Sequence, residues 1–171
     1  MISIEDVFSW LNEFQGSSLK RADTILREAI RQKIAERRFF QAYQVIEFFK
    51  SYENYRINAF ERGEIWVECG LAFYDMENSI EGIKSLERAK SEYPPESHEH
   101  AVVGWMLGTM QWLFEKYHVA AVKNWKGAIE EFRLLELKAE QDRRIREKDW
   151  YSDRLIEMEE SLKGKVTEKF S

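Results

Sequence analysis

A chain of 171 residues that is 44% apolar and 14% aromatic can bury a core as one unit, at about 100–200 residues per domain, and is not disordered over most of its length. Its 31 acidic and 26 basic side chains give a formal charge of −5, which opposes whole-surface attraction to nucleic acid or anionic membrane and leaves only a local basic face for either. The single cysteine, Cys69, excludes an internal disulfide and any multi-cysteine metal site, so a cytoplasmic setting is expected.

Met1 to Trp10 carries Glu5 and Asp6 where a secretory signal is basic, and no stretch of about 18 uncharged apolar residues occurs, so neither a signal nor a membrane span is expected. The two prolines, Pro94 and Pro95, are adjacent, and apolar spacing by three and four recurs where strand alternation never persists. The chain therefore reads as all-α. Ser3 and Asp6 form a capping-box-like start to a helix over about 4–14, with Val7, Leu11 and Phe14 on one stripe. A second helix, about 19–36, follows Gly16-Ser17-Ser18, with Ala22, Leu26, Ile30 and Ile34 on one side and basic residues on the other. The third, from Phe39 to Tyr52, is apolar nearly all round and is expected at the centre of the core. A fourth spans about 57–74, a fifth 79–92 up to the prolines, a sixth 98–116, and a seventh begins near Ala120.

Superposing these helices aligns Ala42 with Gly82 and Ala121, at separations of 40 and 39 residues, and Gly70 with Gly108, 38 apart. Ile30, beside Ala29, holds the corresponding place in the earliest unit. Small residues recurring at such a period mark helix pairs that cross closely and stack in an array. From Trp66 onward, Trp66, Cys69-Gly70, Phe73, Gly82, Leu86, Ala89 and Pro94 fall on the spacing of the tetratricopeptide repeat, which the segment Glu64 to Pro95 resembles. The segment from about Ala101 resembles it through Leu107-Gly108, Ala121, Trp125 and Ala128, and Asp23 to Asn54 through Ala29-Ile30, Ala42, Ile46 and Phe49. A period near 39 exceeds the family's usual 34 and approaches that of HEAT-type repeats, so another helical-hairpin array stays open.

The resemblance implies a right-handed helical-hairpin solenoid of about three repeats, which with an N-terminal helix makes up a domain over 1–135, followed by a long charged C-terminal helix over 136–171. It implies an adaptor or scaffold that binds a peptide or helix of another protein in a concave groove. Carried over by alignment, the groove residues are Arg27 and Arg31, then Glu64, Leu71 and Tyr74, then Val102, Trp105, Thr109 and Trp112. Arg27 and Arg31 would grip carboxylates and the indoles would supply apolar contact, suiting an acidic, amphipathic segment. Core filling by the two tryptophans, and a solvated face for the two arginines, are the competing readings.

From Glu136 to Ser171 ten acidic and nine basic residues nearly balance, with a stripe of Tyr151, Leu155, Met158 and Leu162 at four-three-four spacing. This tail would cap the array, dock a partner or pair with a second copy as a homodimer, fraying from Lys163. His98 and His100 read as surface residues near a helix start, and Cys69 as inert and buried. With no nucleophile constellation and no phosphate-cradling glycine loop, neither an enzyme, a cofactor site nor a metal site is expected. The alternative to protein binding is an RNA-binding or regulatory array using the basic clusters Arg21 to Arg38 and Arg143 to Lys148.

Overall fold

Among the described residues of the computed structural model, all regular structure is helical, as the apolar spacing predicts. The structure describes residues 2–11, 13, 24–38, 41–42, 44–46, 48 and 59–170, without the side chains of 24–27, 61 and 169–170. The helix start at Leu19, Phe14 and much of the apolar run from Phe39 to Tyr52 lie outside the described residues. The chain divides into two compact units, residues 16–93 and residues 1–15 with 94–171.

In the unit 16–93, α2 (Thr24–Ala35) packs against α3 (Ala59–Asp75), which is paired with α4 (Ser79–Glu92). The α3–α4 turn is tight. Glu77 adopts φ 59°, and the Asn78 amide reaches back to the Phe73 carbonyl at 2.8 Å, closing the exposed end of α3. Asn78 then caps α4 by accepting from the Glu81 amide. The two helices cross at Gly70, where a Cβ would stand 2.9 Å from the Leu86 side chain and 3.4 Å from the Gly82 carbonyl. Ile65, Val67, Cys69 and Phe73 of α3, and Ile83, Leu86 and Ala89 of α4, are buried. Tyr93, the last residue before the prolines, lays its ring over Gly63 and edge-on to Phe60.

The other unit joins α1 (Ile4–Trp10) to α5 (His98–Gln111), a 3-10 turn (Glu115–Tyr117), α6 (His118–Gln141) and α7 (Ile145–Phe170). Ser3 and Asp6 do form a capping box, and the bonds from Ser3 hold the Asp6 carboxyl below its ordinary value. Helix α1 packs on α5, α5 on α6 and α6 on α7. The α5–α6 crossing repeats the device of the first hairpin: a Cβ on Gly108 would lie 2.6 Å from the Trp125 ring and 2.9 Å from the Ala121 carbonyl. Along α6 and α7, Arg133 pairs with Glu159 at 2.7 Å, Lys148 with Glu140 at 3.4 Å, and Ser152 bonds Glu136, fixing an antiparallel register.

Several boundaries differ from those expected. Helix α1 ends at Trp10, and α5 stops at Gln111, where Trp112, Leu113 and Phe114 leave the helix in a turn. Helix α7 stays helical to Phe170, past the expected fraying point. The division at residues 135 and 136 falls inside α6. The tail belongs to the same unit as α6, because Tyr151, Leu155 and Met158 are buried there.

Candidate functional site

In α2, the Arg31 guanidinium bonds the Glu68 carboxylate of α3, one turn from Glu64 on the same side of that helix. Glu68 is 4% exposed and Glu64 7%. A carboxylate this deep requires a partner charge, since desolvation otherwise outweighs any gain. Arg31 was expected to meet a ligand's carboxylate; here it answers one of the chain's own, with half its side chain still open. Leu71 and Tyr74 are half-buried. The side chain of Arg27 lies outside the described residues.

In α5, Val102 is fully buried and Trp105 is 2% exposed, so neither offers an open contact surface. This corrects their expected place in a groove. The physical reason lies in the helix itself: from Ala101 to Gln111 every residue but Thr109 is buried, as suits a helix apolar all round. Trp105 packs against Trp125 of α6, ring centroids 5.7 Å apart, and Trp112 lies 5.2 Å from the same ring. The Trp125 indole N–H donates to Thr109 Oγ1 at 3.3 Å, and that hydroxyl donates to the Trp105 carbonyl at 3.0 Å. Trp112 and Thr109 are half-buried. His118 stacks on Trp112 at 3.9 Å and donates from Nε2 to its carbonyl, while Lys165 of α7 stands 5.7 Å from the indole centroid. Of the four groove residues expected on α5, only Thr109 and Trp112 keep an outward side.

A second cluster centres on His98. Its Nε2 lies 2.6 Å from the Trp10 carbonyl and its Nδ1 2.9 Å from the Tyr151 hydroxyl. A carbonyl only accepts, so Nε2 carries the hydrogen and Nδ1 accepts from the tyrosine. Trp150 and Phe132 complete the cage, with ring centroids 5.5 Å and 6.2 Å from the imidazole. Burial pushes His98 below the ordinary imidazole range, against the opposing pull of the Trp10 carbonyl and of Glu99, Glu13 and Glu147. The same burial raises Tyr151. Neither histidine is the surface residue expected: His100 Nδ1 donates to the Glu131 carboxylate at 2.8 Å, and Glu131 also accepts from the Glu96 amide. No spacing links Trp10, His98 and Tyr151 in the sequence, which is why the cluster escapes a reading of the chain alone.

Beside this cluster, α1 and α7 border a cleft of about 610 Å³ that includes Asp6, Ser9, Trp10, Arg154, Glu157 and Glu160. Arg154 lies over both Trp10 and Trp150, at 5.8 and 5.6 Å, and bonds Glu157 at 2.8 Å. Among the described residues no three of His, Cys, Asp and Glu are placed to hold a metal ion, and no helix is long and apolar enough to cross a membrane.

Compared with known proteins, the chain matches no family model, no curated protein and no solved structure.

Proposed function

We propose that the chain is a tetratricopeptide-like adaptor, a right-handed array of helix pairs that holds a peptide or helix of another protein in the cytosol. The observation that carries this reading is the recurrence of one crossing device: Gly70 against Gly82 in one helix pair, and Gly108 against Ala121 in the next. Close crossings at a fixed period are what a stacked repeat requires, and arrays of that kind work by presenting side chains along a surface. Helix α7, seated on α6, takes the part of the solvating cap.

The contact residues of this reading are those that keep an open side: Arg31, Leu71 and Tyr74 in one unit, Thr109 and Trp112 in the other. Val102 and Trp105 support the packing beneath. The nucleic-acid alternative draws less support, because several of its basic residues are answered internally. Arg31 meets Glu68, Arg38 meets Glu36, Arg144 meets Asp142 and Glu147, and Lys148 meets Glu140. Each such pair lowers the charge available to phosphate.

The test is quantitative binding of a partner identified by affinity capture from the native cell. Tyr74→Ala and Trp112→Ala are expected to weaken it by about tenfold or more each, as truncation of an aromatic anchor does, with helical content unchanged by circular dichroism. Unchanged affinity in both variants would overturn the assignment of the surface. Binding that collapses with added salt, accompanied by nucleic acid in the captured material, would favour the alternative.

A further inference from the structure

The end of the α5–α6 hairpin gathers apolar and aromatic residues into one short stretch. Within eight positions the chain places Trp112, Leu113, Phe114, Tyr117 and Val119. Leu113 is 56% exposed and Val119 86%, while Phe114 and Tyr117 are half-buried with their rings edge to face at 6.1 Å. A connection between helices is ordinarily polar, and single exposed apolar residues need no account; several gathered on one turn do.

The charge around this turn is positive although the chain as a whole is negative. Lys116 stands over the Tyr117 ring at 4.8 Å, and Lys165 approaches the Trp112 ring from α7. Lys123, exposed, lies one helical turn beyond Val119, and the first turn of α6 holds no acidic residue. Glu115 is the acidic residue of the turn itself.

We propose that this turn docks on a membrane surface bearing anionic lipid headgroups, inserting Leu113 and Val119 to shallow depth while Lys116, Lys123 and Lys165 meet the headgroups. The apolar side chains sit at one end of a helix pair, a shape suited to dipping into a flat interface. Clasping an extended peptide would instead require a trough with backbone partners along it. Aromatic rings beside lysines are the mixture that the boundary between water and hydrocarbon favours. The negative overall charge, and the absence among the described residues of a helix long and apolar enough to cross a membrane, do not oppose a local contact of this size. The proposal is independent of the adaptor reading, and the two together would make the chain a module that holds a partner at a membrane.

Co-sedimentation of the full chain with vesicles tests it, using phosphatidylcholine alone and phosphatidylcholine with phosphatidylserine. Binding is expected to the anionic vesicles only, and to weaken with salt. Lys116→Glu with Lys123→Glu should reduce it by about tenfold or more, each lysine near an anionic surface contributing about a factor of five. Leu113→Asp with Val119→Asp should abolish it, and because both positions are exposed the double variant should keep the wild-type circular dichroism spectrum. No binding to anionic vesicles, equal binding to both vesicle types, or wild-type binding by the aspartate variant each overturns the proposal. So does capture of soluble polyglutamate that depends on the same side chains without vesicle binding, which would assign the turn to an acidic protein.

Discussion

Trp105 and His98 show how much one side chain's surroundings decide. Trp105, wedged against Trp125 and 2% exposed, has no room to act as a contact residue, and its loss leaves a cavity that the neighbouring rings cannot fill. Trp105→Ala should therefore destabilise the fold by about 3–5 kcal/mol in urea denaturation. His98 is neutral in the fold, and its folded pKa lies below the ordinary value of 6.5. As pH falls, the unfolded chain takes up the proton first. The stabilisation by the neutral ring is complete above about pH 6.5 and is lost as pH drops from there toward the lowered folded value. The melting temperature should thus fall between about pH 7 and pH 5, and His98→Gln should flatten that slope even if it lowers stability throughout.

At the scale of the element, Gly70 and Gly108 lie where helices cross, and the described helix ends are closed by other residues. Helices α2, α3 and α6 each close through a left-handed residue that is not glycine: Arg37, Glu77 and Arg143, with φ of 56°, 59° and 56°. In each case the next amide returns to the carbonyl five residues back. A Cβ in this conformation is strained. Glu77→Gly and Arg143→Gly should each raise stability by about 0.5–1 kcal/mol, readable as a higher urea midpoint at unchanged slope. The crossings were readable from sequence because Gly70 recurs as Gly108 and Gly82 as Ala121, 38 and 39 residues on, while the caps carry no such mark. Helix α5 was legible in another way. Its stretch from Ala101 to Gly108 holds no charged, hydroxyl or amide side chain, which signals burial on all sides, and the groove assignment of Val102 and Trp105 came from alignment alone.

For the molecule as a whole, the division into units separates residues that are neighbours in sequence and joins others that are distant. Residues 1–15 belong with 94–171, through Val7 and Trp10 in the buried layer and through the bond from His98 to the Trp10 carbonyl. Deleting residues 1–15 should therefore lower amide hydrogen-exchange protection in α5 and the first half of α7, and leave the α3–α4 hairpin protected as before.

The spacing of apolar residues by three and four determined the helical class, and the recurrence of small residues determined which helices cross and where, because both are properties of adjacent turns on one element. The capping box at Ser3 and the stop at Pro94 were local in the same sense. Only the tertiary structure decided that Arg31 answers Glu68, that Trp105 is sealed against Trp125, and that His98 joins Trp10 to Tyr151. Each of these depends on residues brought together from separate helices. Burial and charge neutralisation are set by what surrounds a side chain in space, and a pattern along the chain records only which face of its own helix it occupies.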